Sequence, residues 1–229
     1  MRSAIKKAIK HLIGKDLWLR SEVNTPTTFH GSNYGGWSVL KNSLKSDSIV
    51  YSFGIGEDAS FDLSLIETHS CIVHGFDPTP KSMQWVKQNI NNPNFILHPW
   101  ALGPEDGTLE LWLPDNPEHV SASLQQAENR SQKSFQAPCR SLQSIMDKLG
   151  HEHVDVLKMD IEGAEYGVIR SIAEKDGFSS VGQLLVEFHH NMKGFQIVQT
   201  TETLRCLGSV GFKIAWVSDI GHEVLFVKP

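Results

Sequence analysis

Apolar residues in this chain gather in short runs, and between the runs they recur at every third or fourth position. The runs at 49–53, 71–76, 95–97, 154–159 and 183–188 are largely apolar in succession, as strands buried on both faces are. Phe61, Leu65 and Ile66 follow the first run at helical spacing, and Met83, Val86 and Ile90 follow the second around Trp85. Leu142, Ile145, Met146 and Leu149 form a further helix that Ser141 caps and Gly150 stops. Residues 108–113 alternate as an antiparallel strand does, with 104–107 as its turn, and 134–139 reads as another strand. A helix near 196–207 then precedes strands at 212–217 and 223–227. The Asp219-Ile220-Gly221 turn between them is too short for a parallel crossover, so this pair is an antiparallel hairpin at the sheet edge. Strands alternating with helices and closing in a hairpin predict an α/β three-layer sandwich with a mostly parallel sheet.

In such a sheet ligands bind outside the carboxyl ends of the strands, and the chemically versatile residues lie there. Gly54 and Gly56 follow the first strand and permit a tight turn with close backbone approach to a ligand. With Ala59 they satisfy G-x-G-x-x-A, which makes a dinucleotide pyrophosphate one candidate. Glu57 and Asp58 at the same mouth repel phosphate and suit a cationic ligand such as S-adenosylmethionine. A reading without a ligand has Asp58 capping the helix and Glu57 complementing its dipole. Asp77 ends the second strand 21 residues after Gly56, where an acid accepts hydrogen bonds from ribose hydroxyls, and Pro78 and Pro80 start the next helix. Trp100 and Ala101, beyond the third strand, are candidates for an adenine pocket.

The 154–159 strand delivers Asp160 to the same edge. Lys158 is expected to pair with a neighbouring acid, and Glu162 and Glu165 are read as charges opening the following helix. The next strand brings Glu187, His189 and His190 there, so ligating and proton-active groups of three kinds converge. The candidate cofactor contacts are Phe53, Gly54, Gly56, Glu57, Asp58, Asp77, Pro78, Trp100, Ala101 and Asp160. The candidate catalytic residues are Asp160, Glu187 and His189.

The first twenty residues hold six basic side chains and one acid. With Ile5, Ile9, Leu12 and Ile13 on one side they predict a basic amphipathic helix that either packs on the protein or lies on an anionic membrane. Residues 21–38 read as a loop in which Tyr34 and Trp37 flank Gly35-Gly36. The two aromatics either stack on a ligand or latch the extension to the core, and Tyr34, Trp37 and His190 are the candidate substrate contacts. The expected organisation is an extension over 1–33 and one domain over 34–229. Residues 114–133 form a long polar loop, a candidate lid.

A net charge of −5 argues against nonspecific binding of nucleic acid, whose phosphates need clustered bases. Three scattered cysteines without a C-x-x-C pair suit a reduced, cytoplasmic chain, and no apolar stretch reaches membrane-spanning length.

The stretches 50–58, 75–80 and 157–165, reinforced by Val186-Glu187-Phe188-His189, together resemble the FkbM-type family of S-adenosylmethionine-dependent methyltransferases over roughly 34–228. The resemblance implies a seven-stranded Rossmann-like sheet with a reversed last strand and O-methylation of a hydroxyl on a sugar or small natural product. Ser52 stands where the commonest methyltransferase loop has an acid, and no glycine occupies 58, which moves the methionine-end contacts to Glu57 or Asp58. Asp160 and His189 are then the candidate bases, while Asp160 and Glu187 could also offer oxygen ligands to a magnesium ion. Two other readings stay open: a scaffold that keeps the fold without catalysis, and an NAD-dependent oxidoreductase.

Overall fold

The computed structural model describes residues 17–113, 133–192 and 194–229. The predicted basic helix lies largely, and the predicted lid almost wholly, outside these residues. The core is a seven-stranded sheet in the order β11-β12-β10-β9-β3-β4-β5. Its strands are β3 (Ile49–Phe53), β4 (Ile72–Phe76), β5 (Phe95–His98), β9 (Val154–Met159), β10 (Val181–Glu187), β11 (Lys213–Val217) and β12 (Glu223–Val227). β5, β4, β3, β9 and β10 are parallel neighbours, and β12 runs antiparallel to both β10 and β11. The expected parallel sheet with a reversed last strand is therefore present.

Successive residues of a strand face opposite sides, and this divides the core in two. Tyr51, Phe53, Leu157, Met159, Leu184 and Val186 join one apolar cluster, completed by α3 (Leu142–Leu149), α4 (Glu165–Glu174) and α5 (Ile197–Ser209). Val50, Val156 and Leu185 point the other way, against α1 (Ser60–His69) and α2 (Pro80–Asn89). The result is the three-layer α/β sandwich that the pattern predicts. Ser141 caps α3 by accepting the Ser144 N–H, and Gly150 closes it in the left-handed region, as expected.

Two features differ from expectation. Residues 21–38 are not all loop: β1 (Thr27–His30) pairs antiparallel with β2 (Trp37–Leu40), so the expected boundary after residue 33 falls within the turn of a hairpin. Before that hairpin, the N–H groups of Glu22 and Val23 donate to the Ile214 carbonyl of β11. The strands are only four residues long and Thr- and Ser-rich, so no alternation marked them. The other difference is the start of α4, which begins at Glu165. Glu162 (φ +54°) and Gly163 (φ +98°) are left-handed and belong to the turn before it.

A small sheet, β6 (Ala101–Leu102), β7 (Gly107–Trp112) and β8 (Ser134–Arg140), stands beyond β5. The parallel strands progress outward from β3 to β5, and then from β9 to β10 on the opposite side. The topological switch thus lies between β3 and β9, where open α/β sheets place their ligands.

Candidate active site

Both turns at the switch point are locked together by main-chain geometry. Gly54 has φ +80°, and a Cβ there would overlap the Asp160 carbonyl oxygen, so only glycine lets β3 turn beside the end of β9. The Asp160 N–H donates to Phe53 O at 3.1 Å and the Gly54 N–H to Phe76 O at 3.0 Å. Lys158, buried, donates its ammonium to Gly54 O at 3.0 Å and Phe53 O at 3.4 Å, with Asp160 Oδ2 at 4.0 Å. The expected pairing with an acid is thus secondary to two carbonyls of the loop. The same ammonium lies 5.5 Å from the Trp37 ring centroid, a cation–π distance.

Asp77, placed by β4, is buried, and each of its oxygens is occupied. Oδ2 accepts the N–H groups of Ile55 at 3.2 Å and Gly56 at 3.0 Å, and Oδ1 accepts that of Thr79 at 2.8 Å. The residue expected to hold ribose therefore also shapes the glycine loop.

At the mouth, Glu57 pairs with Lys81 at 3.2 Å. Asp58 accepts the Ser60 N–H at 2.8 Å, at the start of α1, and the Ser32 hydroxyl at 2.7 Å. Burial pushes its carboxyl up, but the Ser60 and Ser32 hydrogen bonds and the Lys158 charge outweigh this and hold it below the ordinary range. Asp58 thus takes the first N–H of α1 from the position before the cap, Ala59, and tethers the β1–β2 turn. Ser32 Oγ in turn accepts the N–H groups of Tyr34 and Gly35.

The two aromatics of that turn separate: Trp37 is a core residue, 2% exposed, whereas Tyr34 is 89% exposed on the cleft rim. Trp100 stacks on His98 with centroids 4.8 Å apart, beside Ala101. His190 does not reach the cleft. It is buried with Nδ1 3.1 Å from Thr200 Oγ1, and that hydroxyl is also 3.0 Å from Tyr166 OH, so the expected substrate contact is a hydrogen-bonded core histidine.

His189 is the centre of an acidic cluster. Its Nδ1 lies 3.2 Å from Oε1 of the fully buried Glu165, which also accepts the His189 N–H at 3.0 Å, while Glu165 Oε2 takes the Gly163 N–H at 2.8 Å. Nε2 faces Asp160 at 3.5 Å and Glu162 and Glu187 each at 3.9 Å. Burial alone would lower the imidazole, but the Glu165 hydrogen bond and charge, with Asp160 and Glu187, outweigh it and push it up to about 10. Glu187 is raised by burial first and by the Asp160 charge second. At neutral pH His189 is therefore an imidazolium with no lone pair to act as a base. Glu187, pushed up to about 8, keeps its own proton there and becomes an acceptor only as pH rises through that value, which leaves Asp160 as the carboxylate placed to take a proton. Two members were hidden in the sequence. Glu162 and Glu165 read as helix charges; Glu165 does open α4, yet it also holds His189, while Glu162 reaches the imidazole from the left-handed turn before the helix, for which the glycine after it was the available signal.

These groups share one cleft of about 1350 Å³. Of the candidate residues, Phe53, Gly54, Gly56, Glu57, Asp58, Asp77, Pro78, Trp100, Ala101, Asp160, Glu187, His189, Tyr34 and Trp37 line it, and His190 alone does not. The β11–β12 hairpin adds Trp216, Ser218, Asp219, Ile220 and Glu223, to which the sequence had assigned no site role. Its described lining holds nine acidic residues and a single lysine, Lys158, so the cleft favours a cationic or neutral ligand over a phosphorylated one. Among the described residues no helix is long and apolar enough to cross a membrane.

A sequence profile for the methyltransferase FkbM domain matches residues 49–214. Among curated proteins, the human probable methyltransferase-like protein 24 is 29% identical over 149 residues, covering 65% of this chain and 34% of the relative. Its rat counterpart is 28% identical over 152 residues, with the same coverages. The chain thus spans about a third of the length of these relatives. Among solved structures, a methyltransferase from Pyrococcus furiosus aligns over 99% of this chain and 96% of its own, with TM-score 0.44 and 11% identity. Fibrillarin from Aeropyrum pernix, solved with natively bound S-adenosyl-L-methionine, aligns over 91% and 84%, with TM-score 0.43 and 12% identity.

Proposed function

The chain belongs to the FkbM methyltransferase family, and from that premise we propose that it is an S-adenosylmethionine-dependent O-methyltransferase acting on a hydroxyl of a sugar or small natural product. The observation that carries this reading is the acidic cleft at the β3–β9 switch point, which joins the Gly54–Gly56 turn to the Asp160, Glu187 and His189 cluster. S-adenosylmethionine supplies an electrophilic methyl group on a sulfonium and leaves as a neutral thioether.

The residues present fit such a donor. Gly54 lets the turn close on the Asp160 carbonyl, Gly56 leaves open space beside the loop, and the surplus of carboxylates suits the donor's sulfonium and ammonium charges. Trp100, stacked on His98 and with the Arg140 guanidinium 5.1 Å from its ring centroid, lines the cleft beside Ala101 as a wall for adenine. Asp77, which spends three of its roughly four acceptor sites on the loop, keeps one on Oδ1 for a ribose hydroxyl. On the acceptor side, a hydroxyl is a weak nucleophile until its proton has a destination. Asp160 accepts that proton, His189 stays charged and holds Asp160 in place, and Glu187 joins as a second acceptor only above about pH 8, where it is ionised. Orientation of the hydroxyl by these groups supplies much of the acceleration. Exposed Tyr34 and the Ser218–Glu223 side of the cleft form the rim that a polyhydroxylated acceptor meets.

Calorimetric titration with S-adenosylhomocysteine, followed by transfer of a radiolabelled methyl group across a panel of sugars and hydroxylated natural products, tests the proposal. Binding with transfer supports it. Binding without transfer to any acceptor favours the scaffold reading, and tighter binding of NAD favours the oxidoreductase.

A further inference from the structure

We propose that Asp160, Glu162 and His189 form a divalent-cation site in the cleft. One ligand atom from each side chain lies within 4.8 Å of the others, a separation that one ion can bridge. What distinguishes the group from a chance cluster of acids is how the imidazole is held. His189 is only 9% exposed, and Glu165, itself inaccessible, fixes the ring through Nδ1 and leaves Nε2 turned toward the Asp160 and Glu162 carboxylates. A buried carboxylate on the far nitrogen is the outer partner that metal-bound histidines characteristically have, because it fixes the tautomer and raises the basicity of the ligating nitrogen. Glu165 is anchored in its turn by the Gly163 and His189 N–H groups, so the orientation comes from the backbone.

Charge points the same way. Asp160, Glu162, Glu165 and Glu187 converge on His189, with Lys158 the nearby cation. Two carboxylates and one imidazole form a mixed oxygen and nitrogen set that suits Mn²⁺ better than the all-oxygen preference of Mg²⁺. Three protein ligands facing an open cleft leave coordination positions free for an acceptor hydroxyl, whose acidity the ion would raise. That role rests on the methyltransferase reading; the binding of the ion does not.

The test is an electron paramagnetic resonance titration of the full chain with Mn²⁺, run beside calorimetry with S-adenosylhomocysteine, for the wild type and Glu162→Gln. One bound Mn²⁺ per chain is expected, with affinity at least about tenfold weaker in the variant, since even the loss of an outer partner costs that much. Unchanged S-adenosylhomocysteine affinity shows that the variant is folded. The wild-type titration decides by itself: no binding of Mn²⁺, Mg²⁺ or Zn²⁺ below about 1 mM, the weak end of biological cation sites, overturns the proposal. If S-adenosylhomocysteine still binds, the methyltransferase reading survives that failure. Mn²⁺ affinity unaltered by Glu162→Gln overturns the ligand assignment. Mn²⁺ bound by a chain that ignores S-adenosylhomocysteine leaves the site standing and removes the methyltransferase reading.

Discussion

Replacing Asp77 by asparagine separates its two roles, bracing the glycine loop and holding a ribose. The carboxylate accepts three main-chain N–H groups at 2.8 to 3.2 Å, and its side chain is buried. Asparagine keeps the shape and can present its one oxygen to Ile55 and Gly56. Its amide nitrogen then meets the Thr79 N–H, donor against donor, and the two remaining bonds lose their charge. One lost charge-assisted bond and one buried donor without an acceptor amount to about 2 kcal/mol, while alanine, which removes all three bonds, costs about 4 kcal/mol. For a chain of this size the asparagine variant should melt about 4–8 °C lower, with roughly twice that shift for alanine. Urea unfolding and calorimetry with S-adenosylhomocysteine, on both variants, measure stability and affinity separately. Both quantities should fall, with the larger free-energy loss in stability. Wild-type stability combined with weakened binding would refute the brace and leave Asp77 as a ligand contact only.

Gly54→Ala should abolish measurable S-adenosylhomocysteine binding and cost about 1–3 kcal/mol in stability, because the new methyl meets the Asp160 carbonyl at a left-handed φ; unchanged binding would show that the turn is not part of the site. His74 Nδ1 lies 2.9 Å from His98 Nε2, and burial first, then the charges of His98 and His151, pushes His74 down from 6.5 to about 4. Since protonation then favours the unfolded chain, this contribution is complete above about pH 6.5 and is lost as pH falls toward 4, amounting to about 2 kcal/mol by pH 5. Urea unfolding at pH 7.5 and 5 should show that loss in the wild type and not in His74→Leu, and parallel pH profiles would contradict it. Glu187→Gln should remove the rise in methyl transfer expected of the wild type as pH passes about 8, where Glu187 ionises and becomes a second proton acceptor, while S-adenosylhomocysteine affinity holds; identical pH profiles would remove Glu187 from the chemistry.

Most of the sheet was legible because its strands are buried on both faces and their apolar runs are bounded by glycine, proline or a capping residue. Ile49–Phe53 before Gly54 and Val154–Met159 before Asp160 are the clearest cases. The β1–β2 hairpin was not legible, since four-residue strands carrying Thr27, Thr28 and Ser38 make no periodic signal. Within the site, residues at strand ends declared themselves through position: Asp77, Asp160, Glu187 and His189 all reach the cleft. Partnerships did not. That Lys158 would bind loop carbonyls, that Glu165 would hold His189, and that His190 would turn toward Thr200 depend on side-chain direction in the folded state, which a linear pattern does not encode.

The most direct test of the central claim is a crystal structure of the full chain with S-adenosylhomocysteine. The account predicts the ligand in the cleft between the Gly54–Gly56 turn and Trp100, with ribose hydroxyls at Asp77 and sulfur directed toward Asp160 and Glu187. An empty cleft at saturating ligand, or a ligand bound elsewhere on the molecule, would contradict it.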